Sequence, residues 1–265
     1  MKLLIVADLH YALPQFDWLL DAASRYDMII IAGDLLDTAS SVDAGAQIVV
    51  VLSYLKRIRQ RATLIVCSGN HDLDALSPAG EKHADWMRAI SALSIPTDGD
   101  TVMIGAAMLS VCAWWDGPET QNAIAAQLDA AATRPRDSWI WVYHAPPVDS
   151  RVSWSGHRHF GDTALSAWIA RYRPDIVFSG HVHEAPFVRN GSWVDQIGDT
   201  WLFNAGRQIG PVPASISLDL DRREALWLSF DGAESIRLDE PLARPIAPLT
   251  ELPGWLPHAA PKATA

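Results

Sequence analysis

The sequence predicts an α/β fold, and three observations support this prediction. Short runs rich in Val, Ile and Leu alternate with helix-like stretches over roughly the first two thirds of the chain, which is typical of βαβ units and a largely parallel sheet. Strand-like runs then follow one another without helices between them, as in a meander. The chain has 265 residues, of which 49% are hydrophobic, enough to bury the core of one large α/β domain or two small ones.

The first part of the chain contains five apolar runs with the length and β-branched composition of buried strands. The predicted strands are Lys2–Ala7, Met28–Ala32, Thr63–Cys67, Trp139–Tyr143 and Asp175–Phe178. Between these runs, amphipathic or Ala-rich stretches predict helices. These are Gln15–Arg25, Asp43–Arg61, Glu81–Leu93, Glu119–Thr133 and Asp162–Tyr172.

Two further groups of strands complete the predicted fold. Thr101–Ile104 and Met108–Ala113 suggest a hairpin-like pair joined through Gly105. The strands predicted for the last part of the chain are Ala185–Val188, Ser192–Gln196, Thr200–Phe203, Ser215–Leu220 and Ala225–Phe230.

No linker or internal repeat divides the chain, so we expect residues 1–240 to form a single domain. Beyond Glu240, proline recurs at short intervals and interrupts regular structure. We therefore expect residues 241–265 to form a Pro-rich tail that lies along the surface or is disordered at its end.

Composition and charge exclude several classes of protein. The formal net charge of −10 disfavours extended nucleic acid as a partner, although metal ions can supply local positive charge for a small phosphate ester. The longest apolar runs, such as Ala46–Leu52, are too short to span a membrane. The apolar start of the chain is too short for a signal peptide, because Asp8 interrupts it.

Cys67 and Cys112 lie in apolar strand-like runs, which predicts buried free thiols; a single disulfide is the alternative. We therefore expect a cytoplasmic protein. The sequence indicates no oligomeric state.

Residues that commonly bind metal follow five of the predicted strands. The segments are Asp8-Leu9-His10, Gly33-Asp34-Leu35-Leu36-Asp37, Gly69-Asn70-His71-Asp72, His144 and Gly180-His181-Val182-His183. Any one of them alone is more often a turn or a helix cap, but five in one chain are hard to explain in that way. Because ligands bind at the carboxyl ends of parallel strands, we expect these side chains to meet at one sheet edge.

The spacing and chemistry of these residues predict a metal site. Asp8 and His10 alternate along the backbone, so both side chains can point into one site, and His181 and His183 have the same relation. Carboxylate, amide and imidazole donors without thiolate suit Mn, Fe or Zn. Two ions about 3.5–4 Å apart need a bridging carboxylate, and Asp34 is the best candidate.

Together these five segments resemble the calcineurin-like metallophosphoesterase family. The resemblance implies a four-layer αββα sandwich, in which two mixed sheets are flanked by helices. It also implies two divalent metal ions per chain. The ligands implied for one ion are Asp8, His10, Asp34 and His183, and those for the other are Asp34, Asn70, His144 and His181.

The resemblance further implies a catalytic role for His71, oriented by Asp72. In such a site, a hydroxide that bridges the metals attacks phosphorus, and the ions neutralise the charge that develops. His71 would face the substrate as an acid or as a stabiliser of the departing alkoxide.

The details of the motifs favour one branch of the family. Protein phosphatases of the superfamily carry Arg after the second Asp of the Gly-Asp-x-x-Asp block, whereas Thr38 follows Asp37 here. The small bacterial phosphodiesterases are most similar, which predicts a phosphodiesterase acting on a small nucleotide-like substrate. A phosphomonoesterase with the same residues is the alternative. A catalytically silent metal-binding scaffold is a third hypothesis, which His71 and Asp72 argue against.

Several residues outside the five segments are candidate substrate contacts. In the loop before Asp162, Arg158 is suited to grip a phosphate and Trp154 to stack on a base, with His157 beside them; an ordinary surface loop is an equally good interpretation. Arg207 follows a predicted strand and is expected to shape the wall of the site. Of the adjacent Trp114 and Trp115, we expect one ring in the core and one in the pocket.

Overall fold

The computed structural model describes residues 1–256, which form five α-helices and fourteen strands. The strands, in chain order, are β1 (Lys2–Val6), β2 (Met28–Ala32), β3 (Thr63–Cys67), β4 (Ala75–Leu76), β5 (Lys82–His83), β6 (Thr101–Ile104), β7 (Ala107–Val111), β8 (Ser138–Val142), β9 (Ile176–Ser179), β10 (Val194–Ile197), β11 (Thr200–Asn204), β12 (Ser215–Asp219), β13 (Glu224–Ser229) and β14 (Gly232–Arg237). The helices are α1 (Leu13–Ala22), α2 (Ala44–Arg59), α3 (Met87–Ala92), α4 (Pro118–Ala132) and α5 (Thr163–Tyr172).

Two six-stranded mixed sheets form the centre of the molecule. The first has the order β14-β13-β12-β1-β2-β3, in which β1, β2 and β3 are parallel and the other three strands form an antiparallel meander. The second has the order β10-β11-β9-β8-β7-β6, in which β7, β8, β9 and β11 are parallel. The two parallel sections explain the predicted βαβ pattern, and the meander explains the helix-free end of the chain.

Each sheet packs on both of its faces, because successive side chains of a strand point to opposite faces. In β1, Leu3 and Ile5 belong to the core between the sheets, whereas Leu4 and Val6 pack among residues of α1, α2 and α3. The second sheet buries its other face against α4 and α5. The fold is therefore the αββα sandwich expected from the motifs.

Two predicted elements are wrong, and in each case a specific interaction explains the difference. The helix predicted over Glu81–Leu93 is confined to α3, because β5 pairs with β4 and the Glu81 carboxylate accepts the backbone N–H groups of Glu119 and Thr120 at 2.7 and 2.8 Å. The strand predicted over Ala185–Val188 is a 3₁₀ turn at Ala185–Phe187, where proline supplies no backbone donor.

The described part of the Pro-rich segment packs against the rest of the molecule. Trp255 and Leu256 are buried with Leu226 of β13, and the Trp255 carbonyl accepts a hydrogen bond from the Lys2 ammonium at 2.8 Å. The predicted end of the tail, residues 257–265, lies outside the described residues. No helix within residues 1–256 is long and apolar enough to cross a membrane.

Candidate metal centre

The carboxyl ends of five parallel strands from both sheets meet at one edge of the sandwich. Each end carries residues of one predicted motif, so that the strand order brings together segments that are far apart in sequence. The residues that follow β1, β2, β3, β8 and β9 are, respectively, Asp8 and His10, Asp34, Asn70, His144, and His181 and His183.

Four of the predicted ligands form one compact group. The ligand atoms of Asp8, His10, Asp34 and His183 all lie within 4.8 Å of one another. His183 Nε2 is 3.3 Å from Asp8 Oδ1, and His10 Nε2 is 3.6 Å from Asp34 Oδ2. The Nε2 atoms of the two histidines are 3.1 Å apart. This group contains the residues implied for one of the two ions.

The remaining predicted ligands adjoin this group through Asp34. His144 Nε2 lies 3.2 Å from Asp34 Oδ2, and His181 Nδ1 lies 2.8 Å from Asn70 Oδ1. The rings of His144 and His181 are in edge contact, with their centroids 5.4 Å apart. Asp34 therefore lies next to members of both predicted ligand sets, which is the position that a bridging carboxylate requires.

The electrostatics of the cluster keep its carboxylates ionised. Burial raises the pKa of Asp34, but the neighbouring His144 outweighs this effect, so that the net pKa lies below the usual range. Burial lowers the pKa of His10 and of His181 to about 4, which keeps both imidazoles neutral. For His144, burial lowers the pKa, but the charges of Asp34 and Asp8 raise it more, to about 9.

The arrangement of His144 fits a bound cation. Its Nδ1 lies 2.7 Å from the Ala32 carbonyl, which can only accept, so Nδ1 donates and Nε2 is the atom that faces the centre. Nε2 is buried, faces the Asp34 carboxylate and has no hydrogen-bond partner among residues 1–256. The Asp34 charge favours a second proton on this imidazole, and a divalent ion would replace that proton beside the carboxylate.

The backbone at these strand ends is unusual in a way that serves the site. Asp8, His10, Asp34 and His181 all have positive φ, at 56°, 42°, 55° and 68°, a conformation that non-glycine residues adopt at a cost. Gly33 also has positive φ, and a Cβ atom there would lie 2.3 Å from His144 Nδ1. Glycine at this position therefore allows the His144 ring to pack directly against the backbone after β2.

His71 lies at the margin of the cluster. Its ring is perpendicular to that of His10 with centroids 4.4 Å apart, and its backbone N–H donates to Asp34 Oδ1 at 2.8 Å. The imidazole Nδ1 contacts Thr38, not Asp72. His71 is half-buried and adjacent to the predicted ligands.

The interpretation that Asp72 orients His71 needs correction. The fully buried Asp72 carboxylate accepts three backbone N–H groups, from Leu35 at 3.0 Å, from Leu36 at 2.9 Å and from Gly69 at 2.8 Å. Burial and the charge of Asp34 raise its pKa, while these N–H groups oppose the rise. Asp72 therefore ties the loop after β2 to the loop after β3, and so holds Asp34 and Asn70 together.

Asp37 and Thr38 were assigned no role from the sequence beyond their place in the motif. The ligand atoms of Asp37, His10 and His71 lie within 4.8 Å of one another, at the solvent side of the cluster. Thr38 contacts His71 Nδ1 through its hydroxyl at 2.9 Å. In the sequence, only the position of both residues shortly after Asp34 indicates that they lie close to the cluster.

A cleft of about 550 Å³ adjoins the cluster at His181. The residues that line it are Trp114, Trp115, Tyr143, Ala145, Arg158, His159, Phe160, Gly161, Asp162, Thr163 and His181. Both adjacent tryptophans are half-buried in its wall, so the expectation of one core ring and one pocket ring is wrong.

Of the four predicted substrate contacts, Arg158 alone lines this cleft. The indole N–H of Trp154 donates to the Arg189 carbonyl at 3.0 Å, and the indole ring packs on His159. Trp154 therefore stabilises the loop before Asp162. His157 is exposed and lies outside the cleft lining. Arg207 lies near His10, whose pKa it helps to lower.

Comparison with known proteins identifies the class of protein that this fold and site define. The sequence profile of the calcineurin-like phosphoesterases matches residues 1–185, and the chain therefore belongs to this family of metal-dependent phosphoesterases. None of the curated protein sequences compared with the chain matches it.

Comparison with solved structures finds similar chains of low sequence identity. The protein TT1561 of Thermus thermophilus has a TM-score of 0.56 at 13% identity, over 89% of this chain and 98% of that one. YfcE, a phosphoesterase from E. coli, has a TM-score of 0.40 at 18% identity, over 94% of this chain and 98% of that one. At 13% identity, the similarity to the Thermus protein shows the fold alone.

Proposed function

We propose that this chain is a phosphodiesterase that uses two divalent metal ions to hydrolyse a small nucleotide-like ester. The observation that carries the proposal is the position of Asp34. Its Oδ2 atom lies 3.6 Å from His10 Nε2 and 3.2 Å from His144 Nε2, so one carboxylate oxygen approaches a member of each proposed ligand set. The family membership supports phosphate-ester hydrolysis at this site.

The residues divide into two ligand sets that share Asp34. Asp8, His10 and His183 would hold one ion with it, and Asn70, His144 and His181 would hold the other. Mn, Fe and Zn all suit this donor set. When bound, the ions supply positive charge for a phosphate and lower the pKa of water in the site.

The protein's own contribution to the chemistry centres on His71. The Thr38 N–H lies 3.3 Å from Nδ1 and can only donate, so Nδ1 accepts and the ring proton resides on Nε2. The N–H at Nε2, beside the predicted ligands, can donate a hydrogen bond to the departing alkoxide and stabilise its charge as the ester bond breaks, while the alkoxide takes its proton from water. The Arg207 guanidinium near His10 adds a fixed cation at the same end of the cluster.

The surroundings of the cluster favour a diester over a monoester. His71 packs on His10, whereas the Trp114 ring packs on His181 and His144, with centroid distances of 5.2 and 5.7 Å. A phosphate at the cluster therefore has one candidate hydrogen-bond donor on the His10 side and a cleft on the His181 side. A diester has two organic groups, one for each side.

Hydrolysis of bis-p-nitrophenyl phosphate and of p-nitrophenyl phosphate by the Mn-loaded protein tests the proposal. We expect a higher kcat/KM for the diester, and no activity after chelation of the metal or in the Asp34→Asn variant. Faster hydrolysis of the monoester would identify a phosphomonoesterase. Two bound ions without turnover of either ester would identify a metal-binding scaffold.

A further inference from the structure

The cleft beside His181 has walls that are aromatic and held in place before any ligand enters. Trp114, Trp115 and Phe160 all line it. Arg158 is exposed and also lines it, with its guanidinium carbon 4.0 Å from the centre of the Phe160 ring. Phe160 is 41% exposed, although burial would be expected for a phenylalanine without a surface role. The exposed part of the Phe160 ring, beside the face that Arg158 covers, is available to a bound group.

Asp162 forms hydrogen bonds with two of the aromatic side chains that line the cleft. Its carboxylate accepts the Trp115 indole N–H at 2.8 Å and the Tyr143 hydroxyl, while its other oxygen accepts the Ala164 N–H at 2.7 Å. Asp162 is almost fully buried, and its oxygens are occupied by these donors. It therefore acts as a support for the rings, and the cleft needs little rearrangement to bind a flat group.

The cleft is continuous with the proposed reaction centre. His181 belongs to the cleft lining and to the candidate ligand set, and the Trp114 ring lies against it. A group covalently attached to a phosphate at the cluster can therefore extend directly between the aromatic walls. The volume of about 550 Å³ is in the range that encloses a group of nucleoside size.

We propose that this cleft is the specificity pocket of the enzyme, and that it binds a planar aromatic ring, such as a nucleobase, carried by the phosphate ester. The inference rests on the proposed phosphoesterase function and adds the substrate feature that the protein selects. Aromatic faces stack on any planar ring, and the Arg158 guanidinium adds a flat cation at the rim. An aliphatic or unsubstituted ester gains neither interaction.

Two diesters with the same leaving group test this pocket. Thymidine 5′-(p-nitrophenyl phosphate) and methyl p-nitrophenyl phosphate release the same phenolate, so their kcat/KM ratio reports the contribution of the thymidine group. We expect the wild-type ratio to favour the nucleotide ester by about tenfold to a hundredfold, as one stacked base does elsewhere. The Phe160→Ala and Arg158→Gln variants should each lower this ratio severalfold.

Phe230→Ala is the matched control, because Phe230 is also exposed, at 62%, and does not line the cleft. It should keep the wild-type ratio. A wild-type ratio near one, or a high ratio that survives both cleft substitutions, would overturn the proposal.

Binding without turnover separates this inference from the proposed activity. Calorimetry should find that the Mn-loaded protein binds adenosine monophosphate at least tenfold more tightly than ribose 5-phosphate, and that Phe160→Ala reduces this preference. If neither diester is hydrolysed but the preference is present, the pocket assignment stands and the phosphodiesterase assignment fails. If the diesters are hydrolysed without any preference in rate or binding, the pocket assignment fails alone.

Discussion

The Nδ1 atom of His71 lies 2.9 Å from the hydroxyl of Thr38 and 3.3 Å from its backbone N–H. The N–H group can only donate, so the contact selects the imidazole tautomer that carries its proton on Nε2. Thr38 therefore has the role that was predicted for Asp72. The residue that orients His71 comes from the loop after β2 and not from its own loop.

This relationship predicts a modest and selective effect of replacing Thr38. Thr38→Val removes the hydroxyl contact but keeps the backbone N–H, so kcat should fall by about twofold to tenfold, the usual value of one hydrogen bond. The loss should be larger for esters with alkoxide leaving groups than for p-nitrophenyl esters. Steady-state kinetics on one ester of each kind measures the difference, with metal content determined in parallel.

Thr38→Ser is the matched control, because serine keeps the hydroxyl and should restore most of the activity. A Val variant that loses metal together with activity would show instead that Thr38 supports the cluster.

Replacing His71 itself should have a much larger effect on the same measurements. His71→Ala should lower kcat by about 10²–10³ for poor leaving groups, the usual contribution of one donor to a developing oxyanion, and by less for p-nitrophenolate, which departs readily without such a donor. Metal content should remain near that of the wild type, because the neighbouring Asn70 is the predicted ligand. An equal loss for both esters, accompanied by loss of metal, would make His71 a ligand.

The fold was predictable where one physical signal dominated. The strands that became β1, β2 and β3 are short, β-branched and buried on both faces, and the sequence marks them clearly. The helix predicted from Glu81 failed because its first residues are held by distant partners: Glu81 accepts the N–H groups at the start of α4. Local pattern contains no information about such a contact.

The candidate site was predictable to a similar degree. The motif residues meet because parallel strands end at one edge, a general rule that needs no knowledge of side-chain packing. The role of Asp72 was not predictable, because three of its contacts are backbone N–H groups that depend on loop geometry. The aromatic cleft combines Trp114 with Phe160, and only the tertiary fold brings these residues together.

Replacing the shared carboxylate should affect both proposed ions. Asp34→Asn substitutes a neutral amide between two cations, so the protein should lose most of both ions and all measurable turnover. Asp8→Asn is the comparison, because Asp8 belongs to one proposed ligand set and its loss should weaken mainly one ion. Elemental analysis after equilibration with Mn gives the stoichiometry. Two ions and near-normal turnover in Asp34→Asn would exclude a bridging role.

The last prediction separates a structural Asp72 from a catalytic one. Asp72→Asn keeps one acceptor oxygen for Leu35 and Leu36 but turns an amide N–H₂ toward the Gly69 N–H, so that two buried donors face each other. The free energy of unfolding should fall by about 1–3 kcal/mol, the cost of leaving a buried polar group unpaired. Metal affinity should fall with it, because this carboxylate joins the loops that position Asp34 and Asn70.

Denaturant unfolding and metal titration measure both effects, with Asp27→Asn as the control. Asp27 also accepts a backbone N–H, from Lys2 at 2.7 Å, but it is exposed, so its replacement should change stability little. An Asp72→Asn variant with wild-type stability and metal content, but with the leaving-group-dependent loss expected of His71→Ala, would restore Asp72 as the residue that orients His71.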